Sequence, residues 1–565
     1  MTPSDRRPTA SGIGYRESDI GRVAPVPHMM DDFPLLLSTL YDRSVFLYPD
    51  REIVSVEHDR SIVRTTYGET DDRIRRLATA LRDRLGIEQG QAVGTFAWNN
   101  RRHHELYWAT ANTGRVCHTL NIRLFPDQLE FIVNHAEDRV VFVDPDLVPL
   151  VERFASRVRS VEAYVIMGDS VPETTLPNTM AYEDLIADVE PWREWPLLDE
   201  RSPMMLCYTS GTTGDPKGVA YTQRSTYLHT ISNLAGRPIA TADVVLPVVP
   251  MFHASAWGYP FMATTAGATI VYPGPDMTPE GLVGLFQRER VTYSIGVPTV
   301  WLGIQQYLMD HPEADISSIH TFLCGGSAVP RSLIEWFITE RDILVLQGWG
   351  MTETNPVAAA ALLKPEHEAL SLDERLDRLE TAGIPVAGLQ VRIVDEDGEA
   401  LPWDGEAFGE LLIRGPWIAA EYYNDPRTPE SFIDGWLKTG DVCKITPEGY
   451  IVITDRAKDV IKSGGEWISS LDLERELMAH PAVAEAAVIG VKHVKWQERP
   501  LAVVVKRPGK EVTAEELLEH LRHRVVSWWL PDVIEFADEL PKTGTGKFDK
   551  KVIRSQYSDL LLDGL

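Results

Sequence analysis

The sequence predicts an α/β fold with layered, largely parallel sheets. Helix-like and strand-like patterns alternate through most of its 565 residues. Alternation of this kind places helices against the faces of sheets and favours parallel strands, which read as short, continuously apolar runs. Such runs predict buried strands at 140–143, 164–167, 204–208, 269–272 and 344–346.

The first clear helix is predicted between Thr70 and Leu85. Thr70 can cap its start, and Gly86 can end it. Its apolar residues follow the helical stripe expected for a face packed on the core: Ile74, Leu77, Ala78, Leu81 and Leu85.

The longest apolar stretch, 244–263, has the length of a membrane span. Three prolines, at Pro247, Pro250 and Pro260, would break any helix there, and His253 lies in the middle. We therefore predict a buried strand, a turn and the start of a helix. Residues 1–30 contain no secretory signal and are predicted to be a flexible segment. The predicted location is cytoplasmic.

A change of pattern near Leu389 predicts a small antiparallel β-unit over 389–455. Two strand-like runs there are joined by an Asp-Gly turn at Asp397 and Gly398. After Asp455 a second mixed segment contains the apolar runs VAEAAVIGV and LAVVVKRPG. We predict a large domain over 31–455 and a small α+β domain over 456–565.

Composition narrows the classes of function. Lys and Arg number 55 against 83 Asp and Glu, which gives a formal net charge of −28. Nucleic acids require a basic surface, so a nucleic-acid partner is disfavoured. A hydrophobic content of 44% excludes disorder as the main state. A homodimer and a peripheral membrane contact remain compatible with the sequence.

The four cysteines are predicted to be buried free thiols. Cys117, Cys207, Cys324 and Cys443 lie far apart, with no CxxC pair among them. This spacing argues against both a zinc site and a disulfide framework.

A candidate phosphate-binding loop follows the predicted strand at 204–208. The segment 208–218 reads YTSGTTGDPKG, in which glycines let backbone N–H groups point at an anion. Hydroxyls and one lysine add donors and positive charge. The spacing of a Walker A loop is absent. The candidate contacts are Thr209, Ser210, Gly211, Thr212, Thr213, Gly214 and Lys217.

This loop resembles the signature of the adenylate-forming superfamily, which comprises acyl-CoA synthetases, luciferases and the adenylation domains of peptide synthetases. Five further segments resemble that family's motifs and occur in the same order across nearly the whole chain. They are CGGSAVP at 324–330, QGWGMTET at 347–354, TGD at 439–441, DRAKDVIKSGG at 455–465 and PKTGTGK at 541–547.

The resemblance implies an enzyme that uses ATP, Mg²⁺ and CoA. A carboxylate would attack the α-phosphate of ATP to give acyl-AMP and pyrophosphate, and CoA would then displace AMP. The catalytic residues implied are Lys547, which bridges carboxylate and phosphate, together with Thr352, Glu353 and Lys217. Glu353, with Thr209, would bind Mg²⁺, which prefers oxygen ligands.

Further nucleotide contacts follow from the other matched segments. Trp349 would stack on adenine, where most family members have Tyr, and Asp441 would bind the ribose hydroxyls. The remaining implied contacts are Gly325, Gly326, Ser327, Gln347, Gly348, Gly350, Arg456, Lys458 and Lys462.

The resemblance also implies motion of the C-terminal domain about a hinge near 455–458. One orientation would serve adenylation, and rotation would bring the pantetheine of CoA to the adenylate. The residues expected to line that tunnel are Gly464, Gly465, Glu466 and Trp467.

The acid is predicted from 250–258, PMFHASAWG, which resembles the pocket segment of medium- and long-chain fatty-acyl-CoA synthetases. Phe252, His253, Trp257 and Val297 are the candidate pocket residues. Two alternatives remain: a CoA ligase for a short or sulfur-containing acid such as 3-methylmercaptopropionate or for an aryl acid, and a stand-alone module that loads a carrier protein. One departure from the family is Gln223, where a histidine is usual.

Overall fold

The computed structural model describes residues 31–209, 215–236, 239–456, 459–463, 466–542 and 548–557, without the side chains of Glu466 and Trp467. These residues form two compact units. The first unit contains the chain up to Gln390 together with Arg414–Leu437, and the second unit contains Val391–Ile413 and the chain from Lys438 onward. The hinge near 455–458 stays a prediction.

The strands of the described residues are given in chain order. They are β1 (Glu52–Val56), β2 (Ile62–Thr66), β3 (Ala92–Phe96), β4 (Val116–Thr119), β5 (Val140–Val143), β6 (Ala163–Ile166), β7 (Thr179–Ala181), β8 (Pro203–Tyr208), β9 (Gly218–Thr222), β10 (Val244–Pro247), β11 (Thr269–Tyr272), β12 (Tyr293–Gly296), β13 (Thr321–Gly325), β14 (Leu344–Gly350), β15 (Val357–Ala360), β16 (Ile384–Pro385), β17 (Gln390–Val394), β18 (Phe408–Arg414), β19 (Phe432–Ile433), β20 (Trp436–Ile445), β21 (Ile451–Arg456), β22 (Ile461–Ser463), β23 (Glu466–Ile468), β24 (Val483–His493), β25 (Gln497–Lys506) and β26 (Val533–Phe536).

The α-helices of the same residues follow in the same way. They are α1 (Leu37–Leu47), α2 (Tyr67–Asp83), α3 (Arg101–Thr113), α4 (Pro126–Ala136), α5 (Val148–Ala155), α6 (Tyr182–Ile186), α7 (Gln223–Gly236), α8 (Tyr259–Ala266), α9 (Pro279–Glu289), α10 (Pro298–Asp310), α11 (Arg331–Arg341), α12 (Leu372–Leu379), α13 (Thr428–Ser431), α14 (Ser470–Met478), α15 (Ala514–Arg522) and α16 (Lys550–Gln556).

Two large sheets organise the first unit. The seven-stranded sheet has the order β7-β6-β5-β3-β4-β8-β9, and the nine-stranded sheet has the order β16-β15-β14-β13-β12-β10-β11-β1-β2. Pairing is parallel in the interior of both sheets and antiparallel only at the edges, as between β8 and β9 and between β1 and β2. The predicted α/β class with largely parallel sheets is confirmed.

Two smaller sheets complete the fold. One has the order β17-β18-β20-β19 with β21 beside β20, and the other has the order β23-β22-β25-β24 with β26 beside β25. The long antiparallel pair β24–β25 is formed by the two apolar runs that the sequence marks after Asp455. Most of the predicted β-unit, 391–413 and 438–455, groups with the second unit. The predicted division into domains over 31–455 and 456–565 stays a prediction.

The strand bounds follow the apolar runs closely, with one informative exception. The strands predicted at 140–143 and 269–272 have those bounds in the structure. In contrast, β14 extends to Gly350, four residues beyond the predicted end at 346. It does so because Gly348 pairs with Gly325 of β13 on one side and with Ala360 of β15 on the other. Strand β14 therefore continues through polar and glycine residues, because backbone hydrogen bonds to β13 and β15 hold it on both sides.

The predicted start of the first helix at Thr70 is wrong. Helix α2 begins at Tyr67, and Thr66 is its N-cap. Thr66 and Glu69 form a reciprocal capping box, in which each side chain accepts a backbone N–H of the other. Tyr67 is buried, and its hydroxyl donates to the carbonyl of Ala268 at 2.7 Å. The added turn thus gains both a cap and a core contact.

The apolar stretch at 244–263 forms the predicted strand, turn and helix start. Strand β10 is followed by a 3₁₀ turn, Ala254–Gly258, and by α8 with Pro260 in its first turn. Among the described residues, no helix is both long and apolar enough to span a membrane.

All four cysteines are buried and free, as predicted. Burial raises the pKa of all four thiols, and it raises those of Cys117, Cys324 and Cys443 well above the ordinary value. The reactive thiolate form is therefore disfavoured.

Gln223, the departure from the family pattern, lies fully buried at the start of α7. Its Oε1 accepts the backbone N–H of Leu37 at 3.0 Å, and its Nε2 donates to the carbonyl of Ala111 at 2.6 Å. One neutral amide therefore satisfies a donor on α1 and an acceptor on α3. A side chain at this position needs one hydrogen-bond acceptor and one donor, and it does not need a charge.

Replacement Gln223→Ala leaves both backbone groups buried without that partner. We expect the free energy of unfolding to fall by about 2–4 kcal/mol, since each unsatisfied buried group costs about 1–3 kcal/mol. Urea denaturation measures the change. The control Gln306→Ala, in which an exposed amide bonded to Asp310 is removed, should shift stability by less than about 0.5 kcal/mol. Equal shifts would contradict a bridging role.

Candidate active site

The candidate phosphate loop joins two strands of the seven-stranded sheet. Strands β8 and β9 pair antiparallel, with Tyr208 opposite Gly218. The N–H of Thr209 donates to the carbonyl of Lys217 at 2.9 Å, and the N–H of Lys217 donates to Thr209 Oγ1 at 3.3 Å. Both ends of the loop are therefore fixed side by side. The predicted contacts Ser210, Gly211, Thr212, Thr213 and Gly214 lie outside the described residues.

The ammonium of Lys217 is held by two side chains. Its Nζ lies 4.3 Å from the centre of the Tyr422 ring and 3.3 Å from Ser431 Oγ. A cation over an aromatic face is attracted by the ring quadrupole. The half-buried Lys217 thus has a defined place beside the loop.

The predicted metal ligand Glu353 lies in a 3₁₀ turn, Thr352–Thr354, directly after β14. Thr352 and Glu353 are 8% and 6% exposed. Glu353 Oε1 accepts a hydrogen bond from the hydroxyl of Tyr422 at 2.7 Å, and its carbonyl accepts the N–H of Ala419 at 2.8 Å. The carbonyl of Thr352 accepts the hydroxyl of Tyr221 at 2.7 Å. The turn is therefore held at backbone and side chain.

Tyr422 is a site residue that the sequence reasoning missed. Its hydroxyl bonds Glu353 and its ring carries Lys217, so one side chain joins the phosphate-loop lysine to the candidate metal carboxylate. Burial and the nearby Glu353 raise the pKa of its phenol, which keeps it a donor. The next residue donates its N–H to the carbonyl of Gly218. No charge or spacing signal marks Tyr422 in the run EYYND.

The two nucleotide segments meet where β13 and β14 end. A side chain on Gly325 would place its Cβ 2.6 Å from the carbonyl oxygen of Gly348, so only glycine fits. Gly326 has φ +83°, a conformation that favours glycine. Gln347 Oε1 accepts the N–H of Val329 at 2.9 Å and ties the two segments together.

The other members of these segments lie nearby. Trp349 is half-buried opposite Ala359 of β15, and Ser327 is exposed. A Cβ on Gly350 would lie 1.9 Å from the carbonyl oxygen of Pro356, so the backbone turns sharply there. The carboxyl ends of parallel strands are the usual place of ligand sites in α/β sheets.

The four predicted pocket residues fall into two groups. Trp257 and Val297 adjoin the nucleotide glycines, since a Cβ on Gly325 would lie 3.1 Å from the Trp257 ring and one on Gly326 would lie 3.5 Å from Val297. Phe252 and His253 instead line a small cavity. Its other lining residues include Thr119, Asn121, Cys207 and Tyr208.

The backbone that carries Trp257 is unusual. Ala254, Ser255, Ala256 and Trp257 all have φ between +41° and +56°. Left-handed conformation costs a non-glycine residue roughly 1–2 kcal/mol, so the surrounding packing must impose it. Packing around this segment therefore fixes the position of the Trp257 ring.

In the second unit, Asp441 and Arg456 form an ion pair across β20 and β21. They are register partners, and Arg456 Nε lies 2.9 Å from Asp441 Oδ1. Asp441 is 3% exposed, and its N–H donates to Thr439 Oγ1 at 3.1 Å. A fixed carboxylate of this kind can accept two hydroxyl hydrogen bonds, as a ribose would offer.

Other predicted residues of the second unit lie apart from that pair or outside the described residues. Lys462 Nζ bonds Glu396 at 2.9 Å on an exposed surface. Glu466 and Trp467 belong to strand β23. Lys458, Gly464, Gly465 and Lys547 lie outside the described residues, as do the side chains of Glu466 and Trp467.

The donor set suits Mg²⁺ bound together with substrate phosphates. Among the residues that the structure describes, no group of three or more His, Cys, Asp or Glu could hold a metal ion by itself. Mg²⁺ commonly uses one or two carboxylates and takes its other ligands from phosphates and water. Glu353, a buried carboxylate oriented by Tyr422, fits this role, and Thr209 offers a hydroxyl.

Comparison with known proteins assigns the family. The family described as AMP-binding enzyme matches residues 41–423, and its C-terminal domain matches residues 472–547. The chain belongs to this family of AMP-binding enzymes, within the adenylate-forming superfamily. A solved anthranilate CoA ligase in complex with anthranoyl-AMP shares the fold, with a TM-score of 0.82 at 24% identity over 93% of this chain and 99% of that one.

Two curated relatives match almost the whole chain. A long-chain-fatty-acid–CoA ligase of Thermus thermophilus is 44% identical over 95% of this chain and 98% of its own. A 3-methylmercaptopropionyl-CoA ligase of Ruegeria lacuscaerulensis is 43% identical over 94% of this chain and 98% of its own. The chain is an AMP-forming acid–CoA ligase by class, and its cofactors are ATP, Mg²⁺ and CoA, as predicted. The cytoplasmic location, the homodimer and the peripheral membrane contact stay predictions.

Replacement Tyr422→Phe removes the hydrogen bond to Glu353 and keeps the ring beneath Lys217. We expect kcat/KM for MgATP to fall about tenfold, because hydrogen bonds to charged groups contribute about 1.5–3 kcal/mol. Pyrophosphate release at varied MgATP measures the effect. Tyr423→Phe makes the same chemical change one residue later and should leave kcat/KM within about twofold. If the two variants behave alike, Tyr422 does not orient the carboxylate.

Proposed function

We propose that the chain is an ATP-dependent CoA ligase for medium- and long-chain fatty acids. The observation that carries this proposal is the near full-length identity with a long-chain-fatty-acid–CoA ligase, at 44%. The apolar pair Trp257 and Val297 beside the nucleotide glycines supports it, since an apolar chain bound there would leave water.

In the first half-reaction a carboxylate oxygen attacks the α-phosphorus of ATP. The bond from that phosphorus to the bridging oxygen breaks, and pyrophosphate leaves. Two anions must meet, so positioning and charge neutralisation dominate the barrier. Lys217 and Lys547 supply positive charge, Thr352 contacts the α-phosphate and Asp441 holds the ribose. Bound Mg²⁺ supplies neutralisation of the phosphate charge, and Glu353 would hold it.

In the second half-reaction the sulfur of CoA attacks the carbonyl carbon of the acyl-AMP. The carbonyl–oxygen bond to the phosphate breaks, AMP leaves, and the thiol proton passes to solvent. Gly464, Gly465, Glu466 and Trp467 would border the pantetheine after rotation about the hinge near 455–458. The second unit would then have delivered Lys547 for the first step only.

A ligase for a short, sulfur-containing acid is the second candidate. Two 3-methylmercaptopropionyl-CoA ligases of Ruegeria are 43% and 42% identical to the chain. The Trp257 ring lies against Gly325, where it would shorten a pocket that begins at the adenylate. The same ring thus favours a short acid if it is fixed and permits a long acid if it moves.

An acid panel separates the candidates. With wild-type protein, ATP and Mg²⁺, we expect pyrophosphate release to be fastest with aliphatic acids of eight or more carbons, roughly tenfold above 3-methylmercaptopropionate. Thioester should form only when CoA is added. Trp257→Ala should shift the preference by at least about threefold towards longer acids. Fastest release with 3-methylmercaptopropionate, together with an unchanged profile in Trp257→Ala, would favour the second candidate.

Replacement Lys547→Ala tests the role of the lysine. We expect adenylate formation to fall at least about a hundredfold, because a charge aimed at the transition state is lost. Thioester formation from supplied acyl-AMP and CoA should stay within about threefold of wild type. Quenched-flow assays of each half-reaction measure the two rates. Equal loss in both half-reactions would overturn the assigned role.

A further inference from the structure

Helix α16 carries two cations on one face, directly after the segment of the proposed catalytic lysine. Lys550 and Arg554 are four residues apart and therefore lie one above the other on the helix. The helix starts three residues after Lys547. The residues on either side of 543–547 are joined to each other. Lys542 forms a β-bridge with Phe548, and the N–H of Asp549 donates to the carbonyl of Pro541 at 2.8 Å.

Lys550 is buried in a cluster of charged groups. Its side chain is only 10% exposed, and its Nζ lies 2.7 Å from Glu474 Oε1 and 2.6 Å from Ser470 Oγ. Glu474 also accepts the N–H of Val488 at 2.7 Å. Burial raises the pKa of Glu474 to about 7, although the nearby ammonium opposes that shift.

Asp455 completes this cluster from the end of β21. Its carboxylate is fully buried and accepts the backbone N–H groups of Arg456 and Ser470. Burial raises its pKa, and the charge of Lys550 acts in the opposite direction. Lys550 therefore pairs directly with Glu474 on α14 and is linked to Asp455, at the near flank of the predicted hinge, through Ser470.

Arg554 reaches the other flank. Its guanidinium donates to Asp459 Oδ1 at 2.5 Å, and Asp459 is 8% exposed. Arg554 thus contacts Asp459 on one side of 457–458, and Lys550 contacts Ser470, whose N–H donates to Asp455 on the other side. Arg456, which directly follows Asp455, pairs with Asp441, the candidate ribose ligand.

Transfer of charged groups from water to the protein interior costs free energy, so the buried pair of Lys550 and Glu474 is not explained by a gain in stability. An ion pair in the interior seldom stabilises a fold more than well-packed apolar residues would, but it fixes geometry. Here it joins three stretches of chain that the proposed mechanism uses: the candidate ribose pair, the flanks of the predicted hinge and the segment of the catalytic lysine.

We propose that Lys550 and Arg554 are positioning residues that, while the adenylate forms, hold the flanks of the hinge in a fixed relation to the catalytic-lysine segment, Lys550 through Glu474 and through Ser470 to Asp455, and Arg554 through Asp459. The part of the second unit that follows the hinge then carries Lys547 into the adenylation geometry as one rigid piece. We call the contacts of Lys550 and Arg554 with Glu474, Ser470 and Asp459 the clamp. The inference rests on the proposed function, because the clamp is expected to affect the rate of the adenylation half-reaction.

The deciding experiment compares the two half-reactions in four full-length variants. Lys550→Met and Arg554→Gln each remove one contact of the clamp. Lys551→Met is the matched control, since Lys551 is exposed on the same helix. Lys550→Arg restores the cation. Each is assayed for adenylate formation from acid and MgATP, and for thioester formation from supplied acyl-AMP and CoA.

We expect Lys550→Met to slow adenylate formation about tenfold to a hundredfold, since small misplacements of a catalytic group cost that much. Thioester formation should stay within about threefold, which also shows that the unit is folded. Arg554→Gln should give the same split with a smaller loss, Lys551→Met should match wild type, and Lys550→Arg should recover most of the rate.

Two outcomes would overturn the proposal. One is a loss of equal size in both half-reactions that Lys550→Arg does not reverse, which indicates a purely structural pair. The other is adenylation in Lys550→Met equal to that in Lys551→Met. If Lys550→Met does not fold, the split in Arg554→Gln decides, because its more exposed pair with Asp459 can be lost without leaving a deeply buried charge. Failure of the proposed function itself would appear separately, as absent adenylate formation in wild type.

Discussion

Close approach of two parallel strands is the constraint on which the first unit's site depends. Strands β13 and β14 run side by side to their carboxyl ends, where a side chain on Gly325 would meet the carbonyl oxygen of Gly348. The Trp257 ring lies beside Gly325, and Gln347 ties the two strand ends together. The turn with Thr352 and Glu353 follows at once. Backbone packing thus shapes the edge at which we propose that the adenylate forms.

A second layer of contacts turns that edge into a charged site. Tyr422 bonds Glu353 and supports Lys217, which stands at the end of a hairpin in the other large sheet. Residues from both large sheets therefore share one aromatic side chain. Preorganised groups neutralise charge in a transition state with little rearrangement, and Tyr422 holds the proposed phosphate-site residues Glu353 and Lys217 in defined places.

The second unit uses buried charge for a comparable purpose. Asp441 with Arg456 forms the candidate ribose pair, and Lys550 with Glu474 and Asp455 lies beneath the same strand end. Interior ion pairs are exacting in geometry, since an unpaired partner is strongly unfavourable. A unit proposed to reorient between half-reactions benefits from such internal rigidity, because its catalytic residues must arrive together.

The sequence alone determined the α/β class, the main strands and the six segments of the site, because apolar periodicity and fixed motif spacing are properties of neighbouring residues. Only the tertiary structure decided that Thr66 caps α2, that Gln223 bridges α1 and α3, and that Tyr422 bonds Glu353, 69 residues away in sequence. Contacts of this range depend on how sheets and helices pack, and no local pattern in the chain encodes them.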